Sequence, residues 1–442
     1  MILQKKTYFV FIFLLFSRFL FSQEIKRGDA YTYARKIVDT LASNSMHGRG
    51  YVNGGDSIAA NYIKNEYESF GLRTFGEGDY YQRLSFAVNT FPGKEFFWMY
   101  DAYNCSPDIT DWIAGKDYLI GGASGNISCD LSTVIFDSMY ANDEITFNKF
   151  KKKDLKREFI IVDERKIKDK NKKAFYTKVK DNYFNAEGII EVVDKLTWEP
   201  SQKVNQYPTI QILSEPRYYP TGYEGTVEIE NKFIPNHPSQ NIIGYVKGSV
   251  YPDSFIVFTA HYDHLGQMGK DVYFPGANDN ASGCAMLLNL AKHYSLPENK
   301  PKCSVAFIAF CGEEVGLIGS KYYVEHPLFP LAQIKFLLNM DIMGTGEEGI
   351  TVVNGTIFKK EFDKLKEINT ENSFIKDVKI RGKAANSDHY YFSEAGVHAC
   401  FIYTMGGIKA YHDIYDRAET LPLNEFQNLF QLITKFGMYL QE

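Results

Sequence analysis

The stretch from Ala260 to Glu314 decides how this chain is interpreted. It contains AHYDHLG at residues 260–266, PGANDNASG at 275–283 and FCGEE at 310–314. Each cluster of His, Asp and Glu follows or interrupts an apolar run of the kind that forms a buried strand. In open α/β sheets, ligands bind beyond the carboxyl ends of the strands. The stretch therefore predicts a metal site at the end of a sheet.

The second half of the chain alternates between predicted strands and helices. Apolar runs without polar alternation predict buried strands at 241–246, 255–260, 305–310, 336–340 and 400–403. Apolar residues at three- and four-residue spacing predict helices at 281–294, 319–326, 360–369, 389–395 and 423–440. This alternation predicts an α/β fold, a doubly wound mixed sheet flanked by helices. Two further helices are predicted at 33–41 and 57–70, with Asp56 as the N-cap of the second.

Length and composition favour two domains in a globular protein. The chain has 442 residues, and its net charge of −5 argues against a nucleic-acid partner, which would need a basic face. Residues 100–235 carry short β-rich runs separated by basic segments, which we interpret as solvated surface. We therefore predict an inserted β-rich domain at 100–235, between host segments at 23–99 and 236–442.

The first residues have the pattern of a secretion signal. Lys5 and Lys6 precede an apolar stretch at 8–16, and Leu20-Phe21-Ser22 offers a cleavage site before Gln23. A membrane anchor is the alternative, but Ser17 and Arg18 interrupt the apolar run well short of the roughly 20 residues that a spanning helix needs. We predict a signal peptide at 1–22, a secreted or periplasmic location, and no stable membrane span after cleavage.

Six cysteines do not make a disulfide scaffold in a chain of this size. Cys105 and Cys129 share one polar region and can pair if the compartment is oxidising. The other four lie in apolar runs and are predicted to be small core residues.

Two of the clusters have structural explanations as well as chemical ones. His261 and Asp263 lie two residues apart at a strand exit, so Asp263 can orient a metal-binding imidazole, although a surface ion pair is the alternative. His264 is out of phase and is not expected to bind metal. Asp279 opens a predicted helix, where capping alone would explain it.

The glutamate pair is harder to explain by packing. Glu313 and Glu314 directly follow a buried strand, and adjacent side chains diverge, so one can bind metal while the other faces water. Metal-assisted hydrolysis needs such a base. Asp341 ends another apolar run, and His412 follows the last one, which makes a strong joint case for a metal site.

The order of these motifs resembles a known family. HxD at 261–263, NDNASG at 278–283, EE at 313–314, NMD at 339–341, SDH at 387–389 and YH at 411–412 resemble the co-catalytic zinc aminopeptidases, whose family also contains glutamate carboxypeptidase, the transferrin receptor and glutaminyl cyclase. The resemblance covers the chain from Gln240 onward, and the Gly-rich stretch near the N-terminus resembles the family's opening segment. It implies that 236–442 is the zinc peptidase catalytic domain, that 23–99 is its N-terminal part and that 100–235 is a protease-associated insert.

The resemblance also implies a site with two zinc ions. His261 and Asp341 would bind one ion, Glu314 and His412 the other, and Asp279 would bridge them. Glu313 would be the general base and Asp263 would orient His261. Tyr411 would donate a hydrogen bond to the oxyanion, while the role of Asp388 stays open.

The function predicted is therefore an exported dizinc aminopeptidase that acts on peptide or protein substrates. A glutaminyl cyclase with a single zinc is one alternative, but those proteins have Trp at the position of Tyr411. A carboxypeptidase that removes acidic C-terminal residues is another, although Asp341 is the residue associated with aminopeptidases. A receptor-like binding protein on this scaffold is expected to have lost metal ligands.

Overall fold

A computed structural model of the protein describes residues 29–76, 78–101, 112–151, 154–213 and 222–442. The signal peptide predicted at 1–22 lies outside these residues, as does Cys105, so cleavage and a Cys105–Cys129 disulfide stay predictions. In the part of the chain that is described, no helix has both the length and the apolar character needed to cross a membrane.

The elements follow one another in a mixed α/β order. The α-helices of the described residues are α1 Asp29–Leu41, α2 Gly55–Ser69, α3 Glu144–Phe150, α4 Lys170–Lys180, α5 Gly283–Ser295, α6 Ile318–Glu325, α7 Lys359–Asn372, α8 His389–Glu394 and α9 Phe426–Tyr439. The strands are β1 Tyr81–Thr90, β2 Glu95–Asp101, β3 Tyr118–Ile120, β4 Ile127–Ile135, β5 Phe159–Val162, β6 Gly188–Val193, β7 Thr209–Leu213, β8 Tyr223–Ile229, β9 Lys232–Val246, β10 Tyr251–His261, β11 Gly266–Met268, β12 Val272–Phe274, β13 Cys303–Phe310, β14 Ile334–Met340, β15 Gly349–Val353, β16 Val378–Ile380 and β17 Ala399–Met405.

The larger sheet has eight strands in the order β1-β9-β13-β10-β14-β17-β15-β16. Strand β10 pairs in parallel with β13 and β14, and β14 pairs in parallel with β17. Strand β9 runs antiparallel to β13, and β15 runs antiparallel to β17. The predicted α/β class with a mixed sheet is confirmed.

The central strands are buried on both faces. Every residue of β13 is buried, as is β10 from Phe255 onward, which explains why these strands have continuous apolar sequences. Helices α1, α5 and α9 pack together on one face, and α6 and α8 pack together on the other. Both faces are therefore closed, and the carboxyl ends of the parallel strands are left to form a site.

A second sheet has seven strands in the order β2-β8-β4-β5-β6-β7-β3. It begins at Glu95 and ends at Ile229, and helices α3 and α4 contribute to a core of its own. Strands β1 and β9, which flank it in the chain, pair with each other antiparallel. The chain therefore leaves and re-enters the larger sheet at neighbouring strands. The assignment of the segment with the seven-stranded sheet to the protease-associated type stays a prediction.

The predicted N-cap of α2 is wrong. The helix begins after Gly54, whose backbone is left-handed (φ 68°), a conformation that glycine adopts without a steric penalty. The carboxylate of Asp56 is instead buried against His237 Nε2 at 2.8 Å and Ser239 Oγ at 3.0 Å.

Candidate metal centre

The strand ends bring the predicted residues to one edge of the larger sheet. His261 is the last residue of β10 and lies opposite Phe310, the last residue of β13, so the glutamate pair follows at the same level. Asp341 comes directly after β14, the other parallel neighbour of β10. His412 lies in the loop after β17. The backbone of His412 is left-handed (φ 54°), and the backbone N–H of Trp198 donates to the His412 carbonyl at 2.9 Å.

Asp279 lies between the two histidines. Its Oδ1 is 3.3 Å from His261 Nε2, and its Oδ2 is 3.3 Å from His412 Nε2. His261 Nε2 is also 3.4 Å from Asp341 Oδ1, and His412 Nε2 is 3.2 Å from Glu314 Oε2. Each histidine therefore lies beside two carboxylates, and Asp279 is one of the two in both cases.

The residues fit a pair of metal ions. His261 Nε2 and Asp341 Oδ1 are buried and have no hydrogen-bond partner among the described residues, although both point into the cluster. Buried polar atoms normally have partners, so atoms left open in this way indicate a missing ligand. Imidazole nitrogens and carboxylate oxygens are the donor types that zinc accepts.

The two adjacent glutamates have different surroundings. Glu314 Oε1 lies 2.6 Å from His264 Nδ1, and its Oε2 faces His412. The contact with His264 therefore fixes the orientation of the Glu314 carboxylate. Glu313 lies beside the other set, where its carboxylate can approach within 4.8 Å of the ligand atoms of His261 and Asp341.

The protonation states of the glutamates also differ. Burial raises the pKa of Glu313 well above its usual range; His261 lowers it, and Glu314 and Asp388 raise it further. Burial and Asp279 also raise the pKa of Glu314, but His412 and His264 outweigh them and hold it at about 2. The surroundings therefore favour the ionised form of Glu314 and the protonated form of Glu313.

The carboxylate of Asp263 lies within ion-pair distance of His261 but makes no hydrogen bond to it. His261 Nδ1 lies 3.2 Å from the backbone carbonyl of Asp263 and 3.8 Å from the carboxylate. The carboxylate accepts hydrogen bonds from the Tyr51 hydroxyl at 2.7 Å and from the backbone N–H groups of Glu313 and Glu314 at 3.2 and 3.3 Å. Asp263 thus orients the imidazole through its backbone and the glutamate pair through its side chain.

Two buried charged residues that the sequence analysis did not single out hold the Asp279 loop. Asp416 accepts hydrogen bonds from the backbone N–H groups of Asn278 at 2.8 Å and Asp279 at 2.9 Å. The fully buried guanidinium of Arg49 donates to the carbonyls of Leu41, Tyr262, Pro275, Gly276 and Asp279, at 2.8 to 3.1 Å. Arg49 belongs to the Gly-rich loop near the N-terminus, where an arginine would ordinarily be expected in solvent.

The site opens into a cleft of about 710 Å³. Glu199 and Pro200, from the segment before β7, line one wall. Gln202 of the same segment donates to the carbonyl of Val315 at 2.6 Å. Tyr411 also lines the cleft, is 46% exposed and stacks on His412 with 3.9 Å between ring centroids. The chain between β6 and β7 therefore contributes to the wall of the site.

The SDH motif at 387–389 is buried next to Asp341. Ser387 Oγ donates to Asp341 Oδ2 at 2.9 Å, which fixes the second oxygen of that carboxylate. Asp388 is fully buried, and burial raises its pKa to about 7. No role for Asp388 follows from this position.

Comparisons with known proteins agree with the motifs. Residues 241–437 match Peptidase family M28. Aminopeptidase YwaD of Bacillus subtilis is 29% identical over 340 residues, which cover 73% of this chain and 70% of that protein. A probable zinc metalloprotease of Pyrenophora teres f. teres is 32% identical over 151 residues, which cover 31% of this chain and 31% of that protein.

A solved structure shows the same fold. The crystal structure of a Peptidase M28 precursor from Shewanella amazonensis superposes with a TM-score of 0.70 and 18% identity, over 93% of each chain. The resemblance predicted from the motifs is confirmed. The prediction of a zinc-dependent peptidase agrees with the names of the relatives, an aminopeptidase and a probable zinc metalloprotease.

Proposed function

We infer, from the match of residues 241–437 to Peptidase family M28, that this chain is an exported aminopeptidase that holds two zinc ions and releases N-terminal residues from peptides. The observation that carries the proposal is the position of Asp279, whose two oxygens face the Nε2 atoms of His261 and His412 at 3.3 Å each. A carboxylate placed in this way can serve two ions at once.

The remaining ligands follow from the contacts of the two histidines. His261 and Asp341 would hold one ion, and His412 and Glu314 the other. When bound, a pair of zinc ions lowers the pKa of a coordinated water and polarises the scissile carbonyl. The buried side chains of His264 and Ser387 keep Glu314 and Asp341 in the orientations that ligands need.

Glu313 is the residue that moves the proton. Its carboxylate lines the cleft next to His261 and Asp341, where it accepts a proton from the attacking water and delivers it to the leaving amine nitrogen. The backbone N–H of Glu313 is held by Asp263, which limits the movement of the base.

Tyr411, which lines the cleft beside His412, would stabilise the oxygen on which negative charge develops. Its hydroxyl can donate a hydrogen bond to that oxygen, a contact that strengthens in the transition state. Burial and the nearby carboxylates of Asp279 and Glu314 raise the pKa of Tyr411, so the phenol keeps its proton at neutral pH.

Cleavage at the N-terminal end of the substrate is supported by the match to the Bacillus aminopeptidase, which covers 73% of this chain. Export is supported by the composition of residues 1–22. Neither follows from the geometry of the site.

The test uses matched peptides and the zinc-loaded full chain. We expect a peptide with a free amine and an amidated C-terminus to be cleaved, and the same peptide with an acetylated amine and a free C-terminal carboxylate to resist cleavage. The opposite result would identify a carboxypeptidase. Chelation should abolish the activity, and two equivalents of zinc should be needed to restore it; full recovery at one equivalent would contradict the dizinc site.

A further inference from the structure

One wall of the cleft carries a cation that the proposed reaction does not use. Arg381 directly follows β16, is exposed and lines the cleft. Among the described residues that line the cleft, it is the one arginine or lysine. The opposite part of the lining is acidic, since it contains the carboxylates of the metal centre and Glu199.

Arg381 does not neutralise those carboxylates directly. Within the described ranges its side chain makes no ion pair, and its Nη1 donates a hydrogen bond to the Tyr403 hydroxyl at 3.4 Å. A guanidinium group has five N–H donors, so most of this group remains available to a molecule in the cleft. An arginine that balanced the charge of the metal centre would instead contact a carboxylate.

The wall between Arg381 and the metal centre is largely apolar. Phe401 and Tyr403 lie two residues apart on β17, on the face that lines the cleft, and Ile342 follows the ligand Asp341. Strands β14 and β17 are neighbours, and neighbouring strands lie about 4.8 Å apart. Met340 pairs with Ile402, so Asp341 and Tyr403 follow at the same level of these two neighbouring strands.

We propose that Arg381 binds a carboxylate of the substrate, so that the cleft selects peptides with a carboxylate close to the scissile bond. The proposal rests on the proposed function. An apolar wall that ends in a guanidinium group suits a short aliphatic stem that ends in a carboxylate, which an arginine can hold by two parallel hydrogen bonds. The carboxylate comes either from the side chain of an acidic N-terminal residue or from the free C-terminus of a dipeptide.

Two pairs of substrates distinguish these sources. The α-p-nitroanilides of glutamate and glutamine have the same shape, lack a C-terminal carboxylate and differ only in the side-chain charge. Leu-Gly and Leu-Gly amide differ only at the C-terminus. With the zinc-loaded full chain, we expect kcat/KM to be about tenfold higher for the charged member of one pair, the size of one charge-assisted contact in a partly exposed site.

Variants of the chain assign the preference to Arg381. Arg381→Gln should bring the ratio within that pair close to one, and Arg381→Lys should keep part of it. Lys379→Gln, which removes an exposed cation two residues away and outside the cleft lining, should leave the ratio as in the wild type. Ratios near one in both pairs for the wild-type chain, or a ratio that survives in Arg381→Gln, would overturn the proposal.

Equilibrium binding separates this proposal from the proposed function, because it does not require turnover. Calorimetry on the inactive Glu313→Gln chain should show glutamate binding more tightly than glutamine, or Leu-Gly more tightly than Leu-Gly amide, and adding Arg381→Gln should remove that difference. If no peptide is hydrolysed but the difference persists, the proposed function fails and the carboxylate site stands. If neutral peptides are hydrolysed and no difference is found, the carboxylate site fails alone.

Discussion

Arg49→Met removes five hydrogen bonds from a fully buried junction and should lower the free energy of unfolding by about 4 kcal/mol. A hydrogen bond from a charged donor contributes about 1.5–3 kcal/mol, so five would sum to roughly 10 kcal/mol. The cost of burying the guanidinium offsets more than half of that sum. Arg49→Lys keeps the charge but loses the planar fork, and should cost about half as much.

The assay is urea unfolding in the presence of a chelator, so that zinc binding does not add to the stability of the native state. Arg73→Met, which truncates an exposed arginine further along the same segment, is the matched control and should change the unfolding free energy by less than about 0.5 kcal/mol. Because Arg49 holds the carbonyl of Asp279, zinc should also bind about 10- to 100-fold more weakly to Arg49→Met. A loss below about 1 kcal/mol with unchanged zinc affinity would refute the reasoning.

Two further substitutions test buried carboxylates. Burial raises the pKa of Glu95 from 4.5 to about 8, so the contribution of its protonated form to stability is present below pH 4.5 and is lost as the pH rises through 8. In unfolding titrations, Glu95→Gln should therefore be more stable than the wild type at pH 9, by up to roughly 5 kcal/mol, and no more stable near pH 4.5. Tyr51→Phe leaves the Asp263 carboxylate without its 2.7 Å hydroxyl donor and should lower the unfolding free energy by about 2 kcal/mol, measured by urea unfolding.

Each of these has a clear contrary result. An equal offset between Glu95→Gln and the wild type at every pH would show that Glu95 does not titrate with folding. For Tyr51, Tyr80→Phe is a control, since that hydroxyl also donates within the core but to the carbonyl of Leu72, away from the site. Both variants should lose stability, and only Tyr51→Phe should slow peptide hydrolysis; equal activity in the two would contradict a link from Tyr51 to the glutamate pair.

The parts of the fold that depend on continuous apolar sequence were predictable. Strands β10, β13, β14 and β17 are buried on both faces, so their sequences have no polar interruptions and stand out from the rest. Their carboxyl ends could then be identified, and the ligand-type residues after them could be grouped without knowledge of the strand order. Strand β1 was missed although Leu84, Phe86 and Val88 alternate with polar residues, a pattern typical of a strand with one solvated face.

Long-range contacts explain what was missed in the site. Nothing near Arg49 in the sequence shows that its guanidinium is enclosed by carbonyls from residues 41 to 279. In the same way, the spacing of His261 and Asp263 predicts that they meet, but only the fold shows that Tyr51 and two backbone N–H groups take up the carboxylate. Local spacing indicates which residues can meet, and tertiary packing decides which of their atoms do.

The central claim is that Glu313 moves the proton while Glu314 binds metal, and the direct test is zinc content measured together with peptide hydrolysis in Glu313→Gln. The glutamine keeps the shape of the side chain but cannot accept the proton. We predict about two zinc ions per chain, as in the wild type, and a fall in kcat of about 10²- to 10⁴-fold. Glu314→Gln is the matched variant and should lose zinc as well as activity. A Glu313→Gln enzyme that keeps wild-type kcat, or that loses zinc as Glu314→Gln does, would contradict the assignment.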